Sequence, residues 1–143
     1  MYQHVLAAID LLDTDVAVLR KAKDITDSFG AELSVLHVCE PHVTGYGETT
    51  ARNHIANDIQ IKQSCFPQLK NMLDKVDASN HSAHLLFGRA VDVIHQYAND
   101  HGCDLIVVGS HGYEGVKAML GSTAHKVLHG AKCDVHTVRI NKT

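Results

Sequence analysis

Leu105-Ile106-Val107-Val108 is an unbroken aliphatic run, mostly β-branched, with no polar alternation. Such a run suits a strand buried on both faces, as in a parallel sheet covered by helices on each side. The residues after it narrow the fold further. Gly109 and Gly112 break the run, and Gly121-Ser122-Thr123 opens the last helical stretch. Glycine lets the backbone reach positive φ and lets a ligand approach the amides closely. Free N–H groups at a helix start favour an anion. Two readings stay open at this point. One is a phosphate-cradling loop at the carboxyl end of a central strand; the other is an ordinary glycine turn followed by a Ser122 N-cap.

The rest of the chain repeats the pattern, with apolar runs alternating with helical spacing. Residues 5–9 form the first run, which ends at Asp10. Asp13, Thr14 and Asp15 can start a helix, whose amino end favours acidic groups. Val16, Leu19, Ala22, Ile25 and Phe29 keep helical spacing, and Gly30 caps the stretch. Residues 33–38 give a second strand, and Pro41, Gly45 and Gly47 mark a loop over 40–50. Ile55, Ile59, Phe66, Leu69, Leu73 and Val76 space a helix over about 51–76, which Pro67 is expected to kink or split in two. A third strand is expected over 81–87, and a helix from Ala90 to near Gly102. A helix over 122–129 and a fifth strand over 134–140 complete the chain. The fold class is α/β. One domain over 1–143 holds a five-stranded parallel sheet, doubly wound, with helices on both faces and right-handed crossovers.

Composition removes several functions. With 13 Lys and Arg against 16 Asp and Glu, the formal charge of −3 offers no basic field for nucleic acid or an anionic membrane. No apolar run reaches membrane-spanning length, and Met1-Tyr2-Gln3-His4 lacks a signal peptide's basic start. A cytoplasmic protein is expected. Cys39, Cys65, Cys103 and Cys133 form no Cys-x-x-Cys pair, and reduced thiols fit them, with Cys39 and Cys103 buried.

Enzymatic signatures are missing as well. The chain has no Gly-x-x-x-x-Gly-Lys-Ser/Thr, no Gly-x-Gly-x-x-Gly after the first strand and no Gly-x-Ser-x-Gly. Ser110 and His111 are neighbours in sequence, which does not make them a nucleophile–base pair. His125 and His129 share a helix face, but no third ligand accompanies them, so a solvated face is expected and no metal. His37 and His136 fall inside strands, as hydrogen-bonded core or interface residues. Arg89 and Lys117 could neutralise phosphate or serve solubility.

In an open parallel sheet, ligands sit outside the carboxyl ends of the strands, where strand order reverses. The first strand delivers Asp10 to that edge and the fourth delivers Gly109. If those strands are neighbours, one crevice holds a carboxylate and a glycine-rich anion loop. Asp10 is then either an acceptor for a nucleotide's hydroxyls or ring amine, or a strand-end carboxylate.

At this point the residues resemble the universal stress protein family, over essentially the whole chain. The signals are Val5 to Asp10, Leu36-His37-Val38, Asp104-Leu-Ile-Val-Val-Gly-Ser-His-Gly, Leu120-Gly-Ser-Thr-Ala and Lys132-Cys-Asp-Val. The resemblance implies an adenine-nucleotide alpha hydrolase-like fold, a cytoplasmic homodimer and a role in stress survival. Catalysis is not implied beyond incidental slow ATP hydrolysis. The dimer would pair last strands through Val135, His136, Thr137, Val138, Arg139 and Ile140, with His136 where the family usually has an aliphatic residue. The family's ATP-binding pattern is Gly-x-x-Gly, nine residues, then Gly-Ser or Gly-Thr. Gly109, Gly112 and Gly121-Ser122 match it, but Tyr113 to Leu120 number eight. By resemblance, Asp10 with Ala8 and Ile9 would meet the adenosine, and Val38 would line the adenine pocket. Val108, Gly109, His111, Gly112, Gly121, Ser122 and Thr123 would surround the phosphates. The implied ligand is ATP or AMP, with or without Mg. The competing expectation is that the shortened loop closes the site, leaving a nucleotide-free protein that acts through an unknown protein partner.

Overall fold

A computed structural model describes residues 1–40, 51–110 and 122–140. The central apolar runs pair directly: β1 (His4–Ala8) lies parallel to β4 (Leu105–Gly109), with Val5 opposite Leu105, Leu6 opposite Ile106 and Ala7 opposite Val107. Outside them lie β2 (Glu32–Cys39) and β3 (Ser82–Phe87) on one side and β5 (Asp134–Val138) on the other. The parallel sheet therefore runs β3-β2-β1-β4-β5. Four helices alternate with the strands: α1 (Asp15–Phe29), α2 (Ala51–Lys75), α3 (Ala90–Asp100) and α4 (Ser122–Gly130).

Strand periodicity explains why the central runs show no polar alternation. Successive side chains point to opposite faces, and both faces here are covered. Val5, Ala7, Leu105 and Val107 join Val18, Leu19 and Ala22 of α1 and Leu69, Met72 and Leu73 of α2 in one core. Leu6, Ile106 and Val108 join Ile94, Tyr97 and Ala98 of α3 and Ala124 and Val127 of α4 in the other. Gly30, in the left-handed conformation at φ 63°, ends α1 as expected.

Two expected boundaries move. Helix α2 continues through Pro67 and is not split in two. An interior proline costs about 3 kcal/mol. Leu69, Met72 and Leu73, all buried just beyond it, each contribute roughly 1.5–3 kcal/mol, so packing outweighs the lost hydrogen bond. Strand β5 stops at Val138 rather than Ile140. The Ile140 amide donates to the Ser110 hydroxyl at 2.9 Å, and the Ser110 amide donates to the Val138 carbonyl at 2.8 Å. Ser110 thus ties the exit of β5 to the end of β4, a structural task rather than a nucleophilic one.

Candidate functional site

The chain leaves β1 toward β2 on one side, while β4 lies on its other side, so strand order reverses between β1 and β4. A cleft opens there, outside the carboxyl ends. Ala8, Ile9, Asp10, Val38, Val108, Gly109 and Thr123, all named by the sequence, line it together. Ser122 is the first residue of α4, beside Thr123. His111, Gly112 and Gly121 lie outside the described residues, as does Lys117. Arg89 is not among the lining residues; its exposed guanidinium lies 4.0 Å from Asp92.

The cleft has walls of three kinds. Leu36, Val38, Ala90 and Ile94, with Ala8 and Val108, supply an apolar surface. The Glu40 carboxylate accepts the Ala90 amide at 2.9 Å, fixing the first turn of α3 against the end of β2. Thr123 and Ala124 bring the amino end of α4, where unpaired N–H groups and the helix dipole favour an anion. Asp10 and Asp15 supply the acidic wall.

The two carboxyls differ in setting. Asp10 is exposed at the mouth, and desolvation along its inner side raises its pKa. His37 pulls that value down and Glu40 pushes it up. The His37 ring is held by its Nδ1–H, which donates to the Ile9 carbonyl at 2.8 Å. Asp15 is only 5% exposed. Its pKa is raised to about 7, first by burial and then by the charge of Asp10, against a downward pull from the backbone amides of Leu12 and Asp10. Its Oδ2 is the one buried side-chain oxygen or nitrogen among the described residues without a hydrogen-bond partner.

Gly109 is glycine for a reason that its sequence context hides. Its backbone does not enter the left-handed region. A Cβ there would stand 2.6 Å from Ile140 Cδ1 and 3.1 Å from Val18 Cγ2. Close packing of α1 and the β5 exit against the strand end, not an unusual φ, is what an added side chain would have to displace.

Asp15, Leu36, Ala90, Ile94 and Ala124 line the cleft without having been named by the sequence. Leu36 and Ile94 carry an ordinary core signature, and Asp15 reads as a helix-start acid. Strand and helix spacing places them on cleft-facing sides only once the sheet order is known. His37 is hydrogen-bonded, as expected, whereas His136 is exposed on β5, and His125 and His129 stack exposed with centroids 5.1 Å apart. Among the described residues, no group of three or more His, Cys, Asp or Glu could hold a metal ion. Nor, among them, is any helix long and apolar enough to cross a membrane. All four cysteines are free, and burial pushes the Cys39 and Cys103 thiols up to about 11 and about 12.

Comparison with known proteins places this geometry. Residues 1–139 match the Universal stress protein family. Universal stress protein A homolog 2 of Coxiella burnetii is 34% identical over 145 residues, covering 97% of this chain and 96% of that protein. A universal stress protein solved in complex with cAMP superimposes with a TM-score of 0.73 at 22% identity, covering 98% of both chains. The universal stress protein from Archaeoglobus fulgidus in complex with dAMP gives a TM-score of 0.63 at 22% identity, over 95% of this chain and 97% of that one.

Proposed function

This chain belongs to the universal stress protein family, and we propose that its cleft binds an adenine nucleotide, ATP or AMP, with or without Mg, as the signal for a role in stress survival. The observation that carries the reading is the convergence of three chemistries at the strand-order reversal. An apolar wall suits a flat base, the Asp10 carboxylate suits hydroxyl or amine donors, and the amino end of α4 suits phosphate. The cAMP and dAMP complexes of structurally similar proteins support the same ligand class.

In this reading the protein acts by binding rather than by catalysis, and hydrolysis is at most incidental. It works in the cytoplasm as a homodimer. Strand β5 supports that assembly, because it is an edge strand and edges seek partners. Val138 and Ile140 are buried in this chain's own core, so the side chains that β5 offers a second copy are Val135, His136 and Thr137, with Arg139 just beyond.

Titration of ATP and AMP into nucleotide-free protein tests the proposal, alongside Val38→Asp, which sets a charge into the apolar wall. Saturable binding by the parent and its loss in Val38→Asp is the expected result. Equal binding by both proteins moves the ligand elsewhere. No binding by the parent at millimolar nucleotide favours the second reading, in which the eight residues between Gly112 and Gly121 close the site and protein contacts alone carry the function.

A further inference from the structure

Asp15 is a buried acid with one oxygen left unsatisfied. Asp15 lines the cleft and is 5% exposed, and its Oδ2 is buried behind that wall without a hydrogen-bond partner. An unpaired buried polar oxygen is costly, and an ionised one beside a second carboxylate more so. The position in the fold is specific. Asp15 opens α1, and Val18, one turn on, lies against Gly109 at the carboxyl end of β4. Residues three apart share a helix face, which sets Asp15 on the side of α1 that meets Gly109, and Thr123 and Ala124 of α4 line the same cleft. A nucleotide entering there brings negative oxygens toward a buried carboxyl.

Resting on the nucleotide reading above, we infer that Asp15 is the proton-bearing contact of the cleft: its Oδ2 takes a proton from water as the ligand enters and donates it in a hydrogen bond to a ligand oxygen. No covalent bond to the ligand forms or breaks; the carboxylate gains one proton and loses its charge. Nucleotide occupancy is thereby coupled to pH.

The surroundings decide the sign. From the β1–α1 connection, Asp10 presents a like charge that disfavours the ionised form of Asp15. His37 on β2 and Glu40 at its end bear on Asp10 with opposite effects. Toward the cleft, α3 presents Ala90 and Ile94, β4 presents Val108 and Gly109, and α4 presents Thr123 and Ala124, none of them charged. Among the described residues, the charge bearing on Asp15 is therefore negative. The raised value of about 7 agrees, burial and the Asp10 charge prevailing over the backbone amides of Leu12 and Asp10.

Calorimetric titration of ATP between pH 6 and 8.5, in buffers of differing ionisation enthalpy, reads both affinity and proton uptake. Above pH 7 the parent's affinity should fall by up to about tenfold per pH unit, with ~1 proton taken up per nucleotide at the alkaline end. Asp15→Asn keeps an N–H donor without titrating. It should bind at pH 8 as the parent does at pH 6, with the pH slope and the uptake reduced to what ATP itself contributes. Should Asp15→Asn fail to fold, judged by its thermal melt, Asp15→Ser makes the same comparison of slopes. Equal slopes and equal proton counts in parent and variant overturn the inference while leaving nucleotide binding intact. No binding by either protein at any pH removes the nucleotide reading, and this inference with it.

Discussion

The two ends of the parallel sheet treat the same side chain in opposite ways. At the amino end, Asp104 enters β4 with its carboxylate accepting the amides of Gln3 at 2.9 Å and His4 at 3.0 Å. Desolvation works upward there, but those amides outweigh it and the pKa falls below the ordinary carboxylate value. The Asp104 amide in turn donates to the His4 carbonyl, and His4 Nε2 lies 2.7 Å from the Ser34 hydroxyl. At the carboxyl end, Asp10 and Asp15 are both raised, and Asp15 keeps an unpartnered oxygen. One end uses its acid to stitch strands together. The other sets its acids at the cleft, where burial outweighs their partners.

Asp104→Ala should break the first half of this contrast with the largest effect. It leaves the Gln3 and His4 amides without their acceptor, and chemical denaturation should show a loss of roughly 2–3 kcal/mol, smaller if water reaches the amides. The parent's share from Asp104 is present above the unfolded carboxylate pKa and is lost as pH falls through the lower folded value.

Asp15→Asn should act in the other direction. A folded value raised to about 7 means that the folded state holds its proton longer than the unfolded chain. The parent's stability should therefore decline as pH rises from about 4 to about 7 and then level off. At pH 8 the variant should be more stable by roughly 1–2 kcal/mol, allowing for solvent in the cleft. Below pH 4 that gain should vanish. A gain of the same size at every pH would mean that relief of the unpaired oxygen, rather than of charge, is what the substitution supplies.

A smaller effect separates packing from ligand access at Gly109. Gly109→Ala should cost about 1 kcal/mol through overpacking against Ile140 and Val18. Combining it with Ile140→Val, which removes the crowding Cδ1, should give less than the sum of the two separate costs. Strict additivity in that double-mutant cycle would place the strain elsewhere.

How far the chain could be read from its letters divides along the same line. The central strands were legible because both of their faces are buried, which leaves aliphatic runs such as Leu105 to Val108 with no polar interruption. Asp10 and Gly109 were legible as cleft-lining positions because strand ends at a strand-order reversal are few. The split offered at Pro67 does not occur, because burial of residues distant in sequence overrides a local breaker. Asp15 was legible only as a helix-start acid. Its burial is a tertiary effect, since α1 packs against β1, β2 and β4, and no local pattern encodes that. Gly109 lines the cleft, but its lack of a side chain answers Ile140 and Val18, which spacing along the chain does not reveal.

The central claim is that the carboxyl end of the sheet receives the ligand and the amino end does not. Backbone amide shifts recorded by NMR during an ATP titration test it most directly. The account predicts saturable shifts at Ala8, Asp10, Val38, Gly109 and Ala124, with Gln3, His4 and Asp104 unmoved. Shifts concentrated around Gln3, His4 and Asp104, or no saturable shift at the cleft, would contradict it.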